Sequence, residues 1–265
     1  MIKLKDLSIG YAGRHQSVTV IADHINATIP DRQLTCLLGP NGVGKSTLLK
    51  TLTAFQPKLA GEILLDGKDI DSYSERQLAR KIGVVLTERT SVQNMTVSEL
   101  VALGRSPYTG FWGRLSSDDE DIVNEAMTLA GIQRLAHRSI DTLSDGERQR
   151  AMIAKALAQH TPFICLDEPT SFLDFPSKVE MLQLLSSLAH NTGKTIFLST
   201  HDVELALQLA DSLWLMQPGK PILSGSPRQL AADGSLSAFF DSPAITFDAA
   251  SLRLLIQSSQ PRSGR

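Results

Sequence analysis

Leu34-Thr35-Cys36-Leu37-Leu38-Gly39-Pro40-Asn41-Gly42-Val43-Gly44-Lys45-Ser46-Thr47 decides how this chain is read. A short apolar strand, Leu34 to Leu38, runs straight into a glycine loop, and a helix from Lys45 to Ala54 follows and stops before Pro57. Gly39-x-x-x-x-Gly44-Lys45-Ser46 fits a phosphate-binding loop. The glycines let backbone N–H groups converge on the β- and γ-phosphates, and the helix presents its positive end. Lys45 adds a point charge and the Ser46 hydroxyl can ligate Mg²⁺. The bland alternative is a glycine-rich turn between a strand and a helix.

Outward from that loop, short apolar runs alternate with amphipathic stretches, the pattern of a wound α/β domain. Ile2 to Ile9 and Val18 to Ile29 predict strands of a mostly antiparallel edge, and Glu62 to Leu65 predicts a further strand with an Asp66-Gly67 turn after it. Ser74 and Gln77 predict a capping box on a helix reaching Arg80, and Val84 to Leu86 a returning strand. From Thr96 to His160 the helical period dominates, with starts at Thr96, Ser117 and Ser144, each followed three residues later by Glu99, Glu120 and Glu147. Strands follow at Phe163 to Leu166, Thr195 to Ser199 and Leu213 to Met216, with helices at Ser177 to His190 and Val203 to Ala210 between them. After Pro227 the pattern predicts short helices and loops, and Gln257 to Arg265 a polar tail.

Phe163-Ile164-Cys165-Leu166 ends in Asp167-Glu168, which places two carboxylates at the C-terminal edge of the sheet, where open α/β sheets bind ligands. Asp167 can orient Mg²⁺ and its waters, and Glu168 can act as general base towards an attacking water. A strand-end acid that caps the next turn is the competing reading.

With 265 residues, 42% hydrophobic and 20% charged, the chain has the bulk of a globular domain, neither disordered nor an integral membrane protein. Lys and Arg number 26 against 28 Asp and Glu, so no global basic field draws nucleic acid or anionic lipid, and no nucleic-acid partner is expected. Met1 to Gly10 lacks the pattern of a secretory signal, which predicts a cytoplasmic protein, and no apolar run approaches a bilayer span. Cys36 and Cys165, inside apolar strands and without Cys-x-x-Cys spacing, predict buried thiols.

Leu143-Ser144-Asp145-Gly146-Glu147, about twenty residues before the Asp-Glu pair, resembles the signature motif of ATP-binding-cassette (ABC) ATPases. The other motifs of that family fall in its order: Tyr11 resembles the aromatic that stacks on adenine, Gly39 to Thr47 Walker A, and Phe163 to Glu168 Walker B. Ser171-Phe172-Leu173-Asp174 resembles the loop that touches the opposite site across a dimer, and His201 the switch histidine that senses γ-phosphate. Ala102 to Tyr108, Leu135 to Arg138 and Glu147 to Arg150 look most like ATPases that power uptake of iron-siderophore complexes, haem or cobalamin.

The resemblance implies a P-loop NTPase (RecA-like) core sheet with an antiparallel β edge and an inserted helical subdomain. The nucleotide-binding domain would span 1–235, with core 1–87 and 160–235, helical subdomain 88–159, and a C-terminal extension at 236–265. It also implies two ATP molecules sandwiched in a homodimer that rocks membrane permease subunits fed by a substrate-binding protein, at the cytoplasmic face of the inner membrane. Gly39, Pro40, Asn41, Gly42, Val43, Gly44, Lys45, Ser46 and Thr47 would hold phosphate, Ser46, Asp167 and Glu88 would serve Mg²⁺, and Glu168 and His201 would act on the γ-phosphate. Ser144, Gly146, Glu147 and Asp174 would act across the dimer.

Two positions depart from the family's pattern. Glu88 stands where a Gln is usual, with Gln93 five residues on, and Asp145 stands where the signature has its first glycine. A carboxylate about 6 Å from a γ-phosphate costs on the order of 2 to 3 kcal/mol at an effective dielectric near 20, so Asp145 has to point away or be neutralised, with Arg148 as a candidate partner. Two rivals stay open: a soluble cassette ATPase that serves a cytosolic assembly with no permease, and a non-hydrolysing, nucleotide-gated interaction module, which the departures at Glu88 and Asp145 favour.

Overall fold

The computed structural model describes residues 1–12, 18–86, 94–110 and 113–257. The chain opens with β1 (Ile2–Ala12), β2 (Val18–Ile29), β3 (Leu34–Leu38) and α1 (Lys45–Leu52), then β4 (Ala60–Leu65), β5 (Lys68–Asp69), α2 (Glu75–Leu78) and β6 (Ile82–Val85). Three helices follow, α3 (Val97–Ala102), α4 (Ser117–Leu129) and α5 (Asp145–Ala158). The sheet resumes with β7 (Phe163–Asp167), α6 (Phe175–Thr192), β8 (Thr195–Ser199), α7 (Val203–Leu209), β9 (Ser212–Leu215) and β10 (Leu223–Gly225). Last come α8 (Pro227–Ala232), α9 (Ser235–Phe240), β11 (Ile245–Asp248) and β12 (Arg253–Ile256).

One sheet has the order β10-β9-β3-β8-β7-β6 and is parallel except for the β9–β10 pair. Strands β3, β7, β8 and β9 are buried on both faces, which is why they read as near-continuous apolar runs. Leu34, Cys36 and Leu38 belong to the core shared with α3, α4, α5 and α6, while Leu37 points into the core shared with α1 and the antiparallel strands. The antiparallel strands form a sheet of their own, β2-β1-β4-β5, joined to the parallel sheet by packing. Cys36 and Cys165 are buried free thiols, pushed well above the usual thiol range by desolvation, and are inert.

Several local expectations shift. α4 is capped by Ser116 with Asp119, not by Ser117 with Glu120, because that register lets Asp119 Oδ1 also accept from Arg105 Nε at 2.8 Å. α6 starts at Phe175, earlier than Ser177: Asp174 is its cap, accepting from the Ser177 amide at 3.0 Å, and Pro176 fits the first turn, where no amide donor is needed. β6 begins at Ile82 and stops short of Leu86, since Gly83 hides the start of a strand whose register with β7 is fixed by pairing. After Pro227 the chain also forms the hairpin β11–β12, anchored by buried Phe247, where loops and short helices were expected. The polar tail beyond 257 and the position of Glu88 and Gln93 lie outside the described residues.

Candidate functional site

Strand order explains the site. β3, β8 and β7 are adjacent and parallel, so their C-terminal ends deliver the glycine loop, the segment before His201 and the Asp167-Glu168 pair to one sheet edge. The register sets Leu37 opposite Ser199 and Ser199 opposite Asp167, which puts the three strand ends level.

At the first of these ends, Gly44 takes φ 109° and opens α1 with no side-chain cap. A Cβ at Gly44 would lie 2.3 Å from Ile21 Cγ2, so only glycine lets the loop turn there. An uncapped helix start pointing at the sheet edge is an anion site by construction. Lys45 Nζ curls back to donate to the carbonyls of Gly39 at 2.9 Å and Pro40 at 3.2 Å. Burial lowers the Lys45 pKa, and the carboxylates of Glu168 and Asp167 work against that shift.

Asp167 Oδ1 accepts from Ser199 Oγ at 2.6 Å and from Ser46 Oγ at 3.2 Å, so the hydroxyl of the loop and the carboxylate of β7 meet. Two hard oxygens are the donor set Mg²⁺ takes from protein when phosphate and water supply the rest. Among the described residues no group of three His, Cys, Asp or Glu side chains gathers as a metal site. Glu168 follows in the left-handed region, φ 46°, with its amide donating to Ser199 Oγ at 3.0 Å. Its Oε1 lies 2.7 Å from His201 Nε2. A non-glycine residue costs on the order of 1 kcal/mol in that conformation, and the turn re-aims the Glu168 carboxylate towards β8.

Ser199 therefore ties both acids together, a role that nothing in the local sequence marks. So too with Asp202, which accepts from Thr170 Oγ1 at 2.6 Å and Lys178 Nζ at 2.7 Å, locking the loop after β8 to the loop after β7 and to α6. The nearest sequence signal is a Ser-Thr-His-Asp run at a strand end, whose partners only the strand order reveals.

Tyr11 stands at the end of β1 beside α1, its hydroxyl 2.8 Å from Thr47 Oγ1 and the residue 51% exposed. The ring thus offers an open apolar face next to the loop.

The remaining predicted residues form a second group. Ser144 caps α5, with its hydroxyl accepting from the Glu147 amide at 3.2 Å and the Glu147 carboxylate accepting from the Ser144 amide at 3.0 Å. Glu147 thereby positions Ser144, and those hydrogen bonds hold its pKa below the usual carboxylate range. Gly146 lies against Leu173, whose Cδ2 is 3.9 Å from the place of a Gly146 Cβ, so the loop ending at Asp174 flanks the start of α5. Asp145 is exposed in the first turn, where a carboxylate complements the helix dipole.

The sequence profile of the ABC transporter family matches residues 22–171. The ferric enterobactin transport ATP-binding protein FepC of Escherichia coli K12 is 40% identical over 226 residues, 85% of this chain and 82% of its own. The iron(3+)-hydroxamate import ATP-binding protein FhuC of Bacillus subtilis 168 is 36% identical over 239 residues, 90% of this chain and 87% of its own. Among solved structures, the dimeric post-hydrolysis state of the ATP-binding cassette MJ0796 with ADP and Pi aligns with a TM-score of 0.72 at 26% identity. That match covers 86% of this chain and 99% of the cassette.

Proposed function

The chain belongs to the ABC transporter family as one of its ATP-binding and ATP-hydrolysing subunits, and on that footing we propose that it powers import of an iron(III)-siderophore or a related chelate. The observation that carries the chemistry is the chain of contacts Ser46–Asp167–Ser199–Glu168–His201 at one sheet edge. The names of the relatives, ferric enterobactin transport and iron(3+)-hydroxamate import, support the class of cargo.

The residues then divide the work. Tyr11 stacks the adenine, while the amides of 41–47 and the uncapped start of α1 receive the phosphates. Lys45 leaves the carbonyls of Gly39 and Pro40 for the phosphate oxygens, a charged acceptor outbidding neutral ones. Ser46 and Asp167 are the donors that suit Mg²⁺, which supplies charge neutralisation on the phosphates when bound. Glu168 takes a proton from a water whose oxygen attacks the γ-phosphorus. The bond to the bridging oxygen breaks, and ADP keeps that electron pair. His201, held by Glu168, orients the γ-phosphate. Ser144 and Gly146 close over the same phosphate from a second copy, making a homodimer with two ATP at its interface.

No helix among the described residues is long and apolar enough to cross a membrane. In this reading the chain reaches the cytoplasmic face of the membrane through a permease subunit, itself fed by a substrate-binding protein. An apolar groove of about 450 Å³ lined by Phe55, Leu78, Ala79, Ile82 and Val84, with Phe55 64% exposed, is the surface we assign to that contact. It lies at the far end of α1 from the phosphate loop, so a shift of α1 on nucleotide binding reaches it directly.

Steady-state phosphate release with Mg-ATP, alone and with the candidate permease in lipid, tests the reading beside Glu168→Gln and Lys45→Ala. Release that requires Glu168 and rises with permease is expected. ATP binding with no release in either condition would replace the reading with a nucleotide-gated module.

A further inference from the structure

Ala102 to Tyr108 takes no part in the nucleotide site, yet its contacts tie it to three helices. Arg76 of α2 donates through Nε to the Pro107 carbonyl at 3.2 Å, and Arg80 donates to the same oxygen through Nε at 3.2 Å and Nη2 at 3.0 Å. The Tyr108 ring receives two guanidinium groups, that of Arg80 at 4.9 Å from its centroid and that of Arg105 at 4.0 Å. Arg105 is buried, and it donates to Asp119 of α4 at 2.8 Å and to the carbonyl of Ala158, the last residue of α5, at 2.9 Å. Gly104 permits that approach, since a Cβ there would stand 2.2 Å from the Lys155 carbonyl oxygen.

Gln159, the residue that closes α5, holds the same end to the core a second time. Its Nε2 donates to the carbonyls of Ala79 at 2.6 Å and Ile82 at 2.9 Å, which uses both hydrogens of the amide. Ala79 ends α2, where carbonyls lack intrahelical partners, and Ile82 opens β6, the edge strand of its sheet. Three elements are thus tied pairwise: α2 to Pro107, Arg105 to α5, and α5 back to α2. Leu78, Ala79 and Ile82 of this clamp, with Gln159 itself, also line the groove assigned above to the permease.

We propose that Gln159 and this clamp position Ser144 from the opposite end of α5, so that the state of the groove sets how Ser144 is presented to a second copy. This rests on the ATP-sandwich dimer and the permease contact of the preceding section. The helix is suited to the task. Its 14 residues span about 21 Å, and after Gly146 it holds neither glycine nor proline at which to bend. Ala151, Ala154 and Ala158 pack its inner face without exposure, and a close-packed interior passes a displacement on instead of absorbing it. A rod gripped at one end is aimed from that end, and a misplacement of about 1 Å is enough to cost a reacting site 100-fold. Gln159 is therefore a positioning residue that touches no nucleotide.

The test is a double-mutant cycle in the full chain carrying Glu168→Gln, with ATP-dependent dimerisation followed by light scattering. Gln159→Leu keeps the size of the side chain and removes both donors. It should leave ATP affinity of the single copy within about twofold and weaken dimerisation by about tenfold. Combined with Ser144→Ala, the same change should cost less than about threefold, because the hydroxyl it misplaces is gone. Residues this far apart add independently unless one acts through the other. Arg76→Ala with Arg80→Ala, both on the surface and so without a core to lose, should show the same dependence on Ser144. Equal losses with and without Ser144, or no loss, overturn the positioning role while leaving the sandwich standing. No ATP-dependent dimer with Gln159 and Ser144 intact overturns the sandwich and the positioning role with it. In the chain that keeps Glu168, Gln159→Leu should cut the permease-driven rise in phosphate release by about fivefold or more, and a rise of unchanged size overturns the link to the groove.

Discussion

His201 Nε2 and Glu168 Oε1 lie 2.7 Å apart although the two residues are 33 positions from one another in sequence. The contact follows from two constraints on either side of it. Ser199 Oγ holds the Glu168 amide, and the left-handed turn at Glu168 swings its carboxylate towards the segment after β8. The imidazole and the carboxylate are thus positioned by backbone, before any substrate arrives. Replacing His201 with Ala should lower the hydrolysis rate by about 100-fold with little change in ATP affinity. Glu168→Gln, which preserves a hydrogen-bonding partner for the ring but removes the proposed base, should do at least as much. A single-turnover assay beside equilibrium nucleotide binding checks both, and retention of rate in Glu168→Gln would move the base elsewhere.

Thr35 in β3 is fully buried, and its Oγ1 has no hydrogen-bond partner among the described residues. Nothing at that depth compensates the lost hydration of the hydroxyl. Thr35→Val keeps the shape, suits a parallel strand and removes the orphaned group, so it should stabilise the protein by about 1 kcal/mol. Calorimetry should show a rise of roughly 2 to 4 °C. A fall in Tm would mean that the hydroxyl is satisfied in solution.

What was legible in the sequence was whatever depends on neighbours along the chain. The phosphate loop, the Asp167-Glu168 pair and the box of Ser144 with Glu147 are local patterns, and each appears in the structure where its spacing put it. Ser199 was not legible, because a serine ending a buried strand gains its meaning only from the register that sets it opposite Asp167. The start of α4 was ambiguous for another reason. Ser116 with Asp119 and Ser117 with Glu120 both fit a capping box, and a long-range partner, Arg105, decides between them. The hairpin β11–β12 has four-residue strands, too short to show alternation, and only the tertiary fold brings Phe239 and Phe240 beside Gly39 and Pro40 of the glycine loop.

Capping boxes also set the acid sensitivity of the helices between β6 and β7. Glu99 accepts from the amide of Thr96 at 2.7 Å, and Glu147 from that of Ser144 at 3.0 Å; both bonds hold the carboxyl pKa below its usual range. Folded-state values below unfolded ones mean that the caps stabilise the protein above about pH 4. That contribution is lost as pH falls through the folded values. The box of Ser74 with Gln77 shows that glutamine closes the same motif without a charge. Glu99→Gln with Glu147→Gln should therefore flatten the decline of Tm between about pH 5 and pH 3. Identical pH profiles would place the acid-labile groups elsewhere.

Two glycines of the site should answer oppositely to alanine. Gly44 sits at φ 109°, and a Cβ there would stand 2.3 Å from Ile21 Cγ2, so Gly44→Ala should cost on the order of 1 to 3 kcal/mol of stability as well as nucleotide binding. Gly146 is helical, and the nearest neighbour of a Cβ at that position, Leu173 Cδ2, is at an ordinary 3.9 Å. Within one copy nothing requires glycine there, and helix propensity favours alanine by up to about 1 kcal/mol. If the space above Gly146 belongs to the partner's γ-phosphate, Gly146→Ala should leave Tm unchanged or raised. Hydrolysis and ATP-driven dimerisation should then fall by about 100-fold, the effect of holding reacting groups a methyl's width apart. Thermal unfolding and phosphate release on the same preparation separate the two glycines. A Gly146→Ala protein that is more stable and equally active would remove α5 from the nucleotide interface.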